Sequence, residues 1–380
     1  MRKTINIGDL GTIITGKTPP TTNKNYYGDY AVFIKPTDIS EHSKYTYETE
    51  EMYSKLAAEK YESSLIPKGA ICVPCIGTIG TKMTMTPCDC YTNQSINSII
   101  CNENYDNEYV YYLIKNFLPG LKAYNLGTAS GREYVSKSNF EKIELVAEQD
   151  KEIQKKIGVI LSRYDSLIEN YQKQIKLLEE AAQRLYKKWF IDLHFPRHEN
   201  TNIIDGVPEG WEKKKVGDIT PIITGKKDAN FGTPDGEYPF FTCSQEPIKA
   251  PSFSFDCAAV LLAGNGDFNV KLYRGRFEAY QRTYVLSPYI DSHLYLLFYT
   301  ISANMTKLAA GSSGSTIKFL TKGMIDGINL NVPNDEILRS FNKKVEPIQS
   351  SRESLQSQLR LLTEARDRLL PKLMSGEITI

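Results

Sequence analysis

Signatures of catalysis are scarce in this chain. Only four histidines occur in 380 residues, at 42, 194, 198 and 293, and there is no Asn/Asp-Pro-Pro-aromatic tetrapeptide for amino methylation of a base, no His-Glu-x-x-His and no Gly-x-Ser-x-Gly. This points to a chain that holds and recognises rather than one that reacts. No run of 18 apolar residues exists, and the opening Met1-Arg2-Lys3-Thr4-Ile5-Asn6 lacks the apolar core of a signal peptide, so the expected location is the cytoplasm. Seven cysteines, unevenly placed at 72, 75, 88, 90, 101, 243 and 257, make no plausible secreted disulfide framework. Net charge is nearly absent as well, 46 basic against 45 acidic side chains, whereas a dedicated DNA-binding domain is often clearly basic.

What the chain does have is duplication. Ile7-Gly8-Asp9-Leu10 leads into Ile13-Ile14-Thr15-Gly16-Lys17, and 209 positions later Val216-Gly217-Asp218-Ile219 leads into Ile222-Ile223-Thr224-Gly225-Lys226. Gly77 and Gln94 recur 187 positions on as Gly264 and Gln281, and Gly127-Thr128-Ala129-Ser130-Gly131 returns as Gly311-Ser312-Ser313-Gly314-Ser315. Each copy ends in a heptad pattern. Ile157, Leu161, Tyr164, Ile168, Tyr171, Ile175, Leu178, Ala182, Leu185 and Trp189 alternate spacings of four and three. At an offset of 184 the same positions are Phe341, Val345, Ile348, Arg352, Leu355, Leu359, Leu362, Arg366, Leu369 and Leu373. The falling offsets place deletions in the second globular copy, while the helix keeps its register. Helix spacing is therefore the constrained part. Arg352 and Arg366 interrupt the second seam, and fixing register is favoured over snorkelling outward to a partner.

At 41% hydrophobic content the chain can bury two ordinary cores, one for each copy. Residues 1–150 sum to −3, 151–200 to +3, 201–335 to −1 and 336–380 to +2, so the helical segments are basic and the globular ones are not. Within the second globular copy, Lys271, Arg274, Arg276 and Arg282 interleave with Tyr273, Tyr280 and Tyr284, which suits a nucleic-acid face or, equally, a strand pair with a solvated charged side. Residues 70–76, 91–101, 258–263 and 279–286 read as strands, and 107–117 and 291–302 as short helices. The Gly/Ser segments 126–132 and 310–316 read as loops able to offer backbone N–H groups to a phosphate.

Two motifs mislead. Gly11-Thr12-Ile13-Ile14-Thr15-Gly16-Lys17-Thr18 fits the nucleotide-binding P-loop by letter, but Pro19-Pro20 follows where a helix must open, and the second copy loses both the first glycine and the hydroxyl. A turn presenting a lysine to phosphate is the better reading. Cys72-Val73-Pro74-Cys75 with Cys88 and Cys90 has zinc or redox spacing, yet the sister positions are Ala259, Leu262, Gly275 and Phe277. Cys75 thus reads as a small buried apolar residue, and no metal site is expected.

The order of these parts carries a resemblance. A globular domain, a helix ending Leu185-Tyr186-Lys187-Lys188-Trp189-Phe190-Ile191-Asp192, a Val207-Pro208-Glu209-Gly210-Trp211 junction, a second domain and a helix ending Leu370-Pro371-Lys372-Leu373-Met374-Ser375-Gly376-Glu377-Ile378 together resemble a type I restriction-modification specificity subunit. The Thr-Gly-Lys opening, Asn93-Gln94-Ser95 read as strand, and the Gly/Ser loops are similar to that family's target recognition domains. Pro347 in the second helix is a departure that would start or kink it.

The resemblance implies an α+β fold with two tandem mixed α/β target recognition domains (1–150 and 201–335). Two long spacer helices (151–200 and 336–380) would form an antiparallel coiled coil in a pseudo-twofold internal repeat. Each domain would read one half of a bipartite target in double-stranded DNA, with two modification subunits docked on the helices and restriction subunits joining them. A first helix over about 154–190 would span on the order of 55 Å, enough to place the domains about one DNA turn, roughly 34 Å, apart. S-adenosylmethionine would be bound by the modification subunits, and ATP and Mg by the restriction subunits, none by this chain. Phosphate positioning is expected from Lys17, Lys226, Ser130, Arg132, Ser313, Ser315 and Lys318, and base reading from Lys82, Gln94, Arg274, Arg276, Gln281 and Arg282. A coiled-coil adaptor without DNA affinity, or a P-loop NTPase with a helical arm, are the alternatives.

Overall fold

The computed structural model describes residues 2–77, 79–127, 133–312 and 318–380. They form two compact units, residues 1–173 with 355–380, and residues 174–354. Each unit therefore holds one globular domain, part of the helix Lys151–Tyr186 and part of the helix Asp335–Ser375. Local signals start both helices. Asp150 accepts from the amides of Glu152 (2.9 Å) and Ile153 (3.3 Å), and Asn334 accepts from Ile337 (3.0 Å), so capping residues sit where orphan donors need them. The second helix begins at Asp335, well before Pro347, which lies inside it and does not start it. Pro347 has no N–H to give, so the Lys343 carbonyl loses its intrahelical donor there.

None of the twenty seam positions is exposed. In the first unit Ile157 and Leu161 from the start of the first helix share a core with Leu369, Leu370, Leu373 and Met374 from the end of the second. In the second unit Ala182, Leu185, Tyr186 and Trp189 share a core with Ile337, Leu338, Phe341, Val345 and Ile348. Opposite ends pair in both units, so the helices run antiparallel. A five-residue π turn, Lys187–Ile191, closes the first helix and delivers Phe190 onto Trp211, the last residue of the junction, with ring centroids 5.7 Å apart.

Both arginines in the second seam point inward. Arg366 Nη1 donates to Asp165 Oδ1 at 2.6 Å, and Tyr112 Oη donates to Asp165 Oδ2 at 2.5 Å. Burial, with the Asp165 carboxylate beside it, raises the Tyr112 hydroxyl far above its usual range, so it remains a donor. Arg352 is half-buried, pairs with Glu179 at 3.4 Å and lies 5.8 Å from the Phe298 ring. Each arginine thus pairs with a carboxylate of the first helix, and neither reaches outward to a partner.

The two globular domains share one sheet order. In the first unit, strands run Gly11–Thr15, Ile96–Cys101, Ile71–Pro74, Thr84–Met85 in one sheet and Tyr91–Thr92, Tyr27–Ile34, Met52–Tyr53 in another. In the second unit the equivalents run Ile223–Thr224, Thr283–Leu286, Phe255–Ala263, Val270–Ala279, Tyr238–Phe241, Ile248–Ala250 without a break. Val270–Ala279 does the work of both Thr84–Met85 and Tyr91–Thr92. Pro87 stands between the latter two, and proline cannot donate to a ladder. Helices Asn107–Phe117 and Leu294–Ala310 cover the sheets, the latter running further than the sequence predicts and taking in Ala310.

Asp9 and Asp218 explain the opening repeat. Each accepts from the backbone amide three residues earlier (Asn6 at 2.8 Å, Lys215 at 2.7 Å), closing a one-turn helix. Each such turn follows a strand paired with the last strand of its own domain, Arg2–Asn6 with Glu144–Glu148 and Glu212–Lys215 with Asn329–Val332.

Arg366→Ala leaves the buried Asp165 carboxylate without its cation and is expected to cost about 3–5 kcal/mol, read as a fall in the denaturant midpoint. Asp165→Asn with Arg366→Met should recover most of it. An equal loss in the double variant would show that packing, not charge, sets the cost. Burial pushes the Cys72 and Cys75 thiols up to about 12. A thiol reagent near neutral pH should therefore modify exposed Cys88 in the native chain and reach those two only on unfolding, as peptide mapping by mass spectrometry would read.

Candidate nucleic-acid interface

Extended backbone replaces the P-loop. Gly11–Thr15 is a strand in register with Asn97–Cys101, so it cannot wrap a phosphate, and no helix opens after Lys17. Gly16 comes next, and a Cβ on it would overlap the carbonyl oxygens of Thr92 and Asn93. Gly225 is held the same way against Ala279 and Tyr280. This close approach accounts for the repeated Thr-Gly-Lys: only glycine lets the lysine turn lie against its neighbour.

That neighbour is itself a correction. Residues 91–101 and 279–286 are not single strands; each is interrupted by a turn, at Asn93-Gln94-Ser95 and at Gln281-Arg282. The Asn93 side chain accepts from the Ser95 amide at 3.0 Å, a local alternative to the ladder that the β-rich flanks conceal. Gln94 and Gln281 are thus exposed on tight turns beside Lys17 and Lys226, also exposed. Lys17 N donates to Thr92 O at 2.9 Å, and Gln281 N donates to Lys227 O at 2.9 Å. The Thr18 hydroxyl donates to Gln94 Oε1. Thr18 was not singled out by the sequence, although its place directly after the repeated lysine was a signal.

A third segment converges on this pair of turns. Cys75 N donates to Ser95 O at 2.7 Å, and Val135 N donates back to Cys75 O at 2.9 Å. In the second unit Gly264 N donates to Arg282 O and Leu320 N to Gly264 O, both at 2.8 Å. The chain leaving each Gly/Ser loop is therefore pinned beside the glutamine turn, which places exposed Lys318 there. Ser130, Arg132, Ser313 and Ser315 lie outside the described residues. Lys82 is half-buried, two residues before the strand Thr84–Met85.

The basic-aromatic cluster of the second copy separates in space. Arg274 and Arg276 lie opposite Ala258 and Asp256, toward the other end of Phe255–Ala263 from Arg282, which precedes Thr283 opposite Ala263. Arg274 donates to Tyr295 Oη at 2.7 Å, and Arg276 to Asp256 at 3.2 Å while lying 5.1 Å from the Phe253 ring. Tyr273 packs against Phe241 and Phe277, and Tyr284 Oη donates to Leu320 O at 2.9 Å. Lys271 donates to Ser244 O at 2.7 Å. Of the basic residues in this group only Arg282 joins the lysine and glutamine turns, where Tyr280 is bridged to Lys227.

Buried Cys72 meets the Ser98 hydroxyl at 3.3 Å, and Cys75 packs in the apolar core. Among the described residues, no group of three His, Cys, Asp or Glu side chains is placed to hold a metal.

Each unit thus presents a lysine turn, a glutamine turn and the exit of a Gly/Ser loop at one end of its sheet, a surface of exposed cations and amide groups suited to an anionic polymer. The family model described as "Type I restriction modification DNA specificity domain" matches residues 2–180 and 208–351. Over 98% of its length the chain is similar, at 26% identity, to the type I restriction enzyme MjaIX specificity subunit of Methanocaldococcus jannaschii, of which 93% is covered. It is 36% identical to the Escherichia coli EcoDI specificity subunit across 46% of this chain and 40% of that one. Among solved structures, the type I restriction-modification S subunit from M. genitalium superimposes with a TM-score of 0.66 at 17% identity, covering 98% of this chain and 96% of that chain, which shows a shared fold. The chain belongs to the type I restriction-modification DNA specificity family. Its role is that of a sequence-specific DNA-recognition subunit, a non-catalytic component that works in assembly with others.

Gly225→Ala forces its methyl into the Ala279 carbonyl and is expected to cost about 1–3 kcal/mol, with loss of DNA affinity as the Lys226 and Gln281 turns separate. Thermal unfolding and DNA titration of the full chain read both. Unchanged midpoint and unchanged affinity would remove the turn from the interface.

Proposed function

We propose that each unit reads one half of a bipartite target in double-stranded DNA, with an unread gap of several base pairs set by the paired helices. One observation carries this reading: the lysine turn, the glutamine turn and the loop exit are assembled twice by matching backbone hydrogen bonds, in two domains each followed by a helix whose register is kept at an offset of 184. Lys17, Gln94 and Arg132 serve the first half-site, and Lys226, Gln281, Arg282 and Lys318 the second. The bidentate fits of Gln to adenine and Arg to guanine supply base reading. Arg274 and Arg276 contribute from the far end of their sheet.

Two modification subunits dock on the helices, one to each copy of a repeated outward face. Exposed Leu177, Ala181 and Arg184 recur at the same offset as exposed Leu361, Ala365 and Arg368, and the two leucines are 64% and 58% accessible. An outward leucine has no packing reason to be kept twice, and a repeated partner supplies one. Restriction subunits complete the assembly. S-adenosylmethionine binds to the modification subunits, and ATP with Mg to the restriction subunits, in the cytoplasm. No helix among the described residues is long and apolar enough to cross a membrane.

Base-resolved methylation sequencing of cells expressing this chain with its modification subunit tests the reading. A new bipartite motif with a fixed gap is expected, and exchange of residues 1–150 should change one half of it only. Unchanged methylation beside a competent modification subunit would favour the coiled-coil adaptor. Arg276→Ala and Arg282→Ala should each relax preference at one base pair, costing about 1–3 kcal/mol of discrimination. Unaltered binding and preference in both variants would take these arginines out of the interface.

A further inference from the structure

Beside each lysine turn, a second lysine is held against an aromatic side chain, and its origin in the sequence differs between the two units. In the first unit the one-turn helix Lys24–Tyr26 follows the turn, started by Asn23, whose side chain accepts from the Asn25 amide. Lys60 Nζ stands 4.6 Å from the Tyr26 ring centroid and donates to the Tyr26 hydroxyl at 2.5 Å. In the second unit Ala229–Phe231 follows, started by Asp228, which accepts from the Ala229 amide. Lys227 Nζ stands 4.3 Å from the Phe231 centroid. Both small helices end in the ring that carries the lysine.

Sequence comparison of the copies does not find this pair. Tyr26 is nine residues beyond Lys17, whereas Phe231 is five beyond Lys226. Lys60 ends the helix Lys55–Lys60, within the stretch where the second copy is shortened from 58 residues (Lys17 to Cys75) to 38 (Lys226 to its structural counterpart Gly264). With that helix gone, the cation comes from position 227, the equivalent of Thr18, whose hydroxyl cannot carry charge. A surface lysine held by a hydroxyl or by a half-buried ring contributes only about 0.5–1.5 kcal/mol to folding, too little to account for its being supplied again from elsewhere. Tyr26 in the first unit and Lys227 in the second are tied to the turns. Tyr53 Oη donates to Lys17 O at 2.6 Å and Ser54 N to Tyr26 O at 2.9 Å, while the Lys227 backbone itself accepts from Gln281.

We propose that Lys60 and Lys227 are equivalent DNA phosphate contacts, positioned by the Tyr26 hydroxyl and the Phe231 ring respectively, on the backbone flanking the bases that meet the Gln94 and Gln281 turns. The aromatic side chain restricts a flexible lysine before binding, and the ammonium keeps its remaining donors for a phosphate oxygen. This rests on the DNA-recognition reading and adds to it two residues that neither repeat nor motif marks.

The test is DNA binding by the full chain with its modification subunits, on one duplex carrying the methylation motif and one lacking it, from about 0.05 to about 0.2 M salt. Lys60→Met and Lys227→Met, which remove the ammonium and keep an unbranched stem, should each flatten the slope of log affinity against log salt by about 0.9 and weaken both duplexes alike. The wild-type advantage should shrink about threefold across that range. Lys60→Arg should restore the slope. Wild-type slopes in both Met variants, with motif preference intact, would overturn the phosphate contact and leave the DNA reading standing. Absence of motif preference in the wild-type assembly would overturn that reading itself.

Discussion

A carboxylate on a buried helical seam demands a cation, and in the first unit Asp165 receives one from Arg366 together with the Tyr112 hydroxyl. Three separate pieces of chain meet at that carboxylate: the first long helix, the second long helix and the helix that covers the first domain's sheet. The equivalent positions in the second unit are Gln349, Ala182 and Tyr299, and Gln349 donates to the Tyr299 hydroxyl without an ion pair. The same junction is therefore built twice, once charged and once neutral. The charged version distinguishes one unit from the other in a chain whose halves otherwise repeat, and leucine seams alone offer no such distinction.

From that junction outward, each domain is a sheet with a fixed order and a variable perimeter. The inner end carries the pairing of first and last strands and the aspartate-closed turn. The outer end gathers the lysine and glutamine turns through backbone hydrogen bonds that do not depend on the lysine and glutamine side chains. Side chains on those turns are free to differ because the backbone holds them, a division that suits a recognition surface whose framework stays constant.

Much of this was legible in the sequence where the signal was periodic or repeated. The heptads of Ile157 to Trp189 and their partners gave the helices, and the constant offset gave their shared register. The glutamine turns were not legible as turns, because β-branched and aromatic residues flank Gln94 and Gln281 on both sides and read as uninterrupted strand. What breaks the strand is the Asn93 side chain and a glycine more than seventy residues away, a tertiary cause. Arg274, Arg276 and Arg282 are near in sequence but not in space, since antiparallel pairing carries the first two along the sheet. Register decides such placement, and composition does not report register.

The strand Val270–Ala279 has one further consequence. In the second unit it is continuous, joining the hairpin with Phe255–Ala263 to the parallel pairing with Tyr238–Phe241. In the first unit the corresponding run is cut at Pro87. Mechanically, the second domain is a single plate, in which a load applied at either sheet portion is shared along unbroken backbone, whereas the first is an articulated pair of plates. The domain with the larger insertion thus divides between two sheets the strands that the shorter domain keeps in one.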